Sequence, residues 1–226
     1  MSVRMGDMVL DALAKTKKVR PRVCLVETAG GDPSLYYAMS YEAFNAAGCD
    51  VTELKLFPQP SADPTERLCG SDFVWVGGGS VANLLALWRL HGVDEAMREA
   101  WQRGVILGGV SAGSVCWHLG GTTDSFGPTL RPVTNGLGLL PYANGVHYDS
   151  EEQRRPLLHQ LMKDGVLSPL AYATDDHVGL WYEGLEATSV VADSAYSAAD
   201  GPGAYRVELQ DGEVVETRVG VGERFN

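Results

Sequence analysis

The chain has 226 residues, 45% of them hydrophobic, a size that supports one compact α/β domain over residues 1–226. Its formal net charge of −11 excludes a nucleic-acid-binding or anionic-membrane surface, because both need clustered cations, and leaves small solutes as the expected partners. Cys24, Cys49, Cys69 and Cys116 form no C-x-x-C pair, which argues against a disulfide frame and against a cysteine-bound metal.

In chain order, the stretch to Arg22 is interrupted by Asp7, Asp11 and several basic residues, so it lacks the apolar run of a secretory signal or membrane span, and a cytoplasmic location is expected. Apolar runs at Val23 to Val26, Val51 to Phe57, Phe73 to Val76 and Val105 to Val110 predict strands alternating with helices, the order of a parallel sheet covered on both faces. Val81, Leu84, Leu85 and Trp88 fall at helical spacing, and Val93, Ala96, Met97, Ala100 and Trp101 repeat it after His91-Gly92. Ser150 with Gln153 reads as a capping box before a helix that buries Leu157, Leu158, Leu161 and Met162. After Pro169 short strands are expected at Val178 to Tyr182, Ala187 to Ala192, Ala204 to Leu209 and Val214 to Val219, with Asp211-Gly212 as a hairpin turn; these form an antiparallel extension of the same domain.

The most informative segment is Gly109-Val110-Ser111-Ala112-Gly113, a G-x-S-x-G pattern directly after a buried strand. A sharp strand-to-helix turn lifts a serine hydroxyl clear of the sheet if its neighbours lack bulk. A chain with 27 glycines can also produce the pattern as a plain turn, so its context matters. Gly77-Gly78-Gly79-Ser80 ends the preceding strand, and both turns belong at the carboxyl edge of the sheet, where α/β folds bind ligands. Gly78 N–H and Ala112 N–H are the expected oxyanion donors. Gly77, Gly79 and Ala82 also fit a permissive dinucleotide fingerprint, but the next strand ends in Gly109-Val110-Ser111 with no acid for a ribose, so nucleotide binding ranks below hydrolysis.

A serine nucleophile needs a histidine oriented by a carboxylate. His118 is expected on a helix after the elbow, about 10 Å along it from Ser111 at roughly 1.5 Å per residue. His91 falls in an inter-helix turn and His159 in mid-helix. His147 and His177 remain, with spacing favouring His147. Asp176, Asp175, Asp124 and Asp149 are all loop candidates for the acid, and spacing does not choose among them.

These residues together resemble the peptidase E family of serine peptidases, aspartyl dipeptidases and the related cyanophycinases. The likeness rests on Val76-Gly77-Gly78-Gly79-Ser80 with Asn83-Leu84-Leu85, on the Ser111 elbow, on Thr122-Thr123-Asp124 and on Val146-His147-Tyr148. It implies a three-layer α/β fold with a mostly parallel sheet, similar to class I glutamine amidotransferases. It also implies Ser111 as nucleophile, His147 as base and Asp176 as the acid, with Asp124 in a loop associated with activity. The chain departs from the better-known dipeptidases in reading Asp175-Asp176-His177 where they tend to have an acid and then glycine. An aspartyl substrate would need a cation, for which Arg131, Arg154 and Arg155 are the candidates. The expected activity is hydrolysis of small peptides without cofactor or metal. The competing readings are an esterase or amidase with the same triad, or a catalytically silent binding protein; a homodimer is left open.

Overall fold

The computed structural model describes residues 5–198 and 201–224. The chain divides into two compact units, one through Ser114 and one from Val115 onward.

The first unit is built on a four-stranded, all-parallel sheet. Its strands are β1 (Arg22–Val26), β2 (Asp50–Glu53), β3 (Phe73–Val76) and β4 (Ile106–Gly109), in the order β2-β1-β3-β4. Helices α1 (Asp7–Lys15), α2 (Ser34–Ala46), α3 (Pro64–Cys69), α4 (Val81–His91) and α5 (Val93–Gln102) connect and cover them. Both faces of such a sheet must be buried, which explains why β1 and β3 are nearly continuous apolar runs. Val23 and Leu25 pack with Leu13, Tyr37, Phe44 and Phe73. Because strand side chains alternate, Cys24 and Val26 point to the opposite face and are equally buried. The predicted helices at Val81 and Val93 are present, with Val81, Leu84, Leu85, Trp88, Val93 and Met97 all buried. The expected strand from Val51 to Phe57 instead stops at Glu53. Beyond it the Asp32 carboxylate accepts from the Leu56 and Phe57 N–H groups at 2.6 and 3.0 Å, which takes the place of ladder bonding.

The second unit carries a six-stranded mixed sheet in the order β12-β11-β8-β7-β5-β6 and a separate β9-β10 hairpin. Its strands are β5 (His118–Thr123), β6 (Arg131–Val133), β7 (Leu140–Gly145), β8 (Leu170–Thr174), β9 (Val178–Glu183), β10 (Glu186–Ala192), β11 (Ala204–Gln210) and β12 (Glu213–Val219). Strands β5, β7 and β8 run parallel and the outer pairs antiparallel. The fold is therefore α/β with one parallel and one mixed sheet, and the antiparallel hairpins predicted after Pro169 belong partly to the second of these. Helix α7 (Arg154–Lys163) buries Leu158, Leu161 and Met162 against Ala143, Ala171, Ala173 and Val207. The capping box expected at Ser150 does not form: α7 starts four residues later, and Gln153 stands at its N-cap with no side-chain bond. Among the described residues no helix is long and apolar enough to cross a membrane.

Candidate active site

In the first unit, Ser111 occupies the turn between β4 and α6 (Ala112–Val115) with φ 54°, in the left-handed region that a serine rarely adopts. The turn is closed by Gly113 N–H to Val110 O at 2.9 Å and Ser114 N–H to Ser111 O at 2.8 Å. Two glycines make it possible. A methyl group on Gly113 would stand 2.2 Å from Val76 O, and one on Gly109 would stand 2.4 Å from Gly113 O. The G-x-S-x-G spacing thus reflects a close approach of three backbone segments that no other residue permits. Gly78 lies directly beside Ser111, since a methyl built there would be 3.3 Å from Ser111 Cβ and 3.9 Å from its Oγ.

Under the same loop sits Glu27, at the carboxyl end of β1 and 3% exposed. A methyl on Gly77 would be 1.8 Å from Glu27 Oε2, so the carboxyl fills the space that a side chain at position 77 would need. Burial, opposed by a hydrogen bond from Ser40 and reinforced by the charge of Asp32, pushes the Glu27 carboxyl up to about 7. Glu27 was not among the sequence candidates. The available signal was an acidic residue ending a fully apolar strand at the ligand-binding edge of a parallel sheet.

In the second unit, His147 follows β7 and has φ 53°, also left-handed. Its Nδ1 is 2.7 Å from Asp176 Oδ1. The separation of 29 positions is bridged by strand register. Gly145 of β7 pairs with Ala173 of the parallel neighbour β8, so the loops that follow the two strands emerge side by side. Asp149 Oδ1 accepts the Asp176 N–H at 2.9 Å. Burial raises the Asp176 carboxyl, but hydrogen bonds from Ser150 and His147 and the charge of the neighbouring imidazoles outweigh it and hold the group below the usual carboxylate range. Ser150 is thus occupied with Asp176, which accounts for the missing helix cap.

The other acid candidates have different surroundings. Asp175 turns inward, its Oδ2 accepting from Gly203 N–H at 2.9 Å and the Tyr205 hydroxyl at 3.2 Å, and burial raises its pKa. Asp124 is exposed in the loop after β5.

Among the histidines, His177 stacks face to face on Tyr196 at 3.8 Å and lies 3.9 Å from Asp193. His159 is also paired with a carboxylate, Glu216, at 2.8 Å, but the same Nε2 meets the Tyr148 hydroxyl at 3.0 Å and Arg155 shares that carboxylate at 3.6 Å, a network internal to the sheet-helix packing. His91 ends α4. The expectation for His118 needs correction: the helix after the elbow is one turn long, and His118 opens β5, buried with its ring edge on Tyr182. Cys116 likewise lies past that helix, and its complete burial holds the thiol well above its ordinary value.

Two of the three arginine candidates are committed elsewhere. Arg154 is 3% exposed, and its guanidinium donates to Thr122 O and to both oxygens of Glu151. Arg155 lies over the rings of Tyr148 and Tyr205 at 4.4 and 4.7 Å. The third, Arg131, opens β6 and is exposed.

A family model described as peptidase family S51 matches residues 5–190. The chain belongs to that family. It is a serine peptidase of family S51, a hydrolase whose substrates are peptides. It is 38% identical over 204 residues to the uncharacterized peptidase YgaJ of Bacillus subtilis (strain 168), covering 90% of this chain and 85% of that one. It is 28% identical over 156 residues to peptidase E of Shewanella denitrificans, covering 66% of this chain and 65% of that one. The crystal structure of a peptidase from an acI-B1 actinobacterium shares the fold, with a TM-score of 0.69 at 17% identity over 97% of this chain and 88% of that one.

Proposed function

We propose that this chain hydrolyses a peptide bond in small peptides through an acyl-enzyme on Ser111, with His147 as the general base and Asp176 as the group that orients it. The observation that carries the reading is the strained, glycine-enclosed turn at Ser111, a conformation whose cost is justified by exposing a nucleophile. The His147–Asp176 pair supplies the rest of the chemistry, because a carboxylate on Nδ1 sets the tautomer that makes Nε2 the proton acceptor.

In this mechanism Ser111 Oγ attacks the peptide carbonyl carbon and its proton passes to His147 Nε2. The N–H groups of Gly78 and Ala112 stabilise the oxyanion. The C–N bond then breaks as the imidazolium returns the proton to the leaving amine. Water attacks the resulting ester, giving up its proton to His147, and the acid leaves as Ser111 recovers its hydrogen. An aspartyl preference has its support in the family resemblance, and of the cations considered for it Arg131 is the exposed one.

The test is labelling with a fluorophosphonate together with peptide turnover. Wild type should be labelled and Ser111→Ala should not. Turnover in Ser111→Ala or His147→Ala should fall by roughly 10⁶-fold, and in Asp176→Asn by roughly 10⁴-fold. His177→Ala should keep its activity; loss there with retention in His147→Ala would reject the assignment.

A further inference from the structure

The carboxyl edge of the parallel sheet holds a cleft of about 410 Å³ beside the elbow, lined by Gly30, Pro33, Leu35, Tyr36, Gly78 and Gly79. Its volume falls in the range of small-molecule sites, roughly 300–1,000 Å³. Gly78 belongs both to this wall and to the immediate surroundings of Ser111, whose Cβ is 3.3 Å from where a Gly78 methyl would stand. A substrate carbonyl at Ser111 would therefore place one of its flanking residues at the cleft mouth.

Among the described residues the side chains lining it are those of Pro33, Leu35 and Tyr36, none of them charged. Leu35 and Tyr36, on the first turn of α2, are 67% and 50% exposed, and Met39 continues the apolar stripe one turn further on. The titratable groups around the neighbouring loop are mostly carboxyl groups. Glu27 lies beneath Gly77, and Asp32, two residues before α2, accepts from Leu56 N–H, Phe57 N–H and the Tyr37 hydroxyl. Lys55 is engaged by Glu53 at 3.0 Å and by the Tyr37 ring at 4.7 Å. An aspartyl side chain placed in this cleft would lose water near the Asp32 carboxylate and the buried Glu27 carboxyl, with no cation in the lining among the described residues. An aliphatic or aromatic side chain would instead cover Pro33, Leu35 and Tyr36.

We infer that this cleft is a specificity subsite for a residue flanking the scissile bond, and that it takes an aliphatic or aromatic side chain in preference to an acidic one. This rests on the reading of Ser111 as the nucleophile.

The experiment measures kcat/KM for dipeptides carrying Leu, Phe, Asp or Lys at either position, on wild type, Leu35→Arg and Tyr36→Ala, with fluorophosphonate labelling of Ser111 in each. Wild type should favour Leu or Phe over Asp by at least ~10-fold at one position. Leu35→Arg should narrow or invert that ranking at the same position alone, and Tyr36→Ala should raise KM for the Phe peptide by about 10-fold. Both side chains are exposed, so the variants should fold. Labelled Ser111 with an Asp preference at both positions, or with variants that scale every peptide equally, overturns the subsite and leaves the peptidase reading standing. Unlabelled Ser111, or a Ser111→Ala protein that still turns over peptides at the wild-type rate, overturns the nucleophile and the subsite with it.

Discussion

Replacing Glu27 by glutamine should change the pH dependence of stability more than any other single substitution beneath the glycine loop. The buried carboxyl titrates at about 7 in the folded chain, against an ordinary value of 4.5. Between those values the native state keeps a proton that the unfolded chain has released, so stability must fall as pH rises through this window. At about 1.4 kcal/mol per pH unit, the loss over the window is about 3 kcal/mol. Glutamine has nearly the same shape and cannot ionise, so Glu27→Gln should match wild type near pH 4.5 and exceed it by about 3 kcal/mol above pH 7. With a urea slope of about 2 kcal/mol/M, the midpoint should differ by about 1.5 M. Tryptophan fluorescence is a suitable probe because Trp88 is fully buried in the same unit, with its Nε1–H 3.4 Å from Thr28 Oγ1. A wild-type minus variant difference that stays flat from pH 4.5 to 8 would refute the argument, showing that Glu27 is ionised throughout and that its burial costs nothing.

Three further outcomes follow from the geometry. Gly113→Ala should destabilise by about 3 kcal/mol, because its methyl would lie 2.2 Å from Val76 O, and a melting temperature within 2 °C of wild type would contradict a rigid elbow. Arg154→Met should cost about 2 kcal/mol by leaving the buried Thr122 carbonyl without its charged donor, read by urea unfolding; an unchanged midpoint would mean that water replaces the guanidinium. The Asp176 carboxyl is held below its ordinary range, so it contributes stability above its unfolded pKa and loses it as pH falls through the lower folded value. The imidazole resonances of His147 should therefore report the Asp176 pairing to a pH lower than that at which an ordinary aspartate protonates, and Asp176→Asn should abolish that acid-side transition.

The elbow was legible because it is encoded locally. An apolar strand, three glycines and a serine occupy the nine residues 105–113, and the steric demand at Gly109 and Gly113 acts between atoms of that segment and the adjoining strand end. The helices after Gly79 and Gly92 were legible for the same reason, since apolar spacing and a buried face are one fact seen twice. Strands β5 and β7 were not. His-Leu-Gly-Gly-Thr-Thr and Leu-Pro-Tyr-Ala-Asn-Gly carry little intrinsic strand preference and become strands through pairing with each other and with β8. Ser150 misled as a cap because its hydroxyl had a stronger acceptor in a residue 26 positions away.

By itself, the order of residues determined the α/β class, the parallel strands of the first unit and the serine at the bend, all consequences of short-range sterics and periodic burial. Tertiary structure decided which aspartate meets His147, because only the register of β7 against β8 carries positions 147 and 176 to neighbouring loops. It also decided that Arg154 and Arg155 serve internal packing, and that Glu27 lies under the glycines. Those contacts join residues far apart in the chain, and their energies depend on burial and distance, neither of which exists until the sheets have formed.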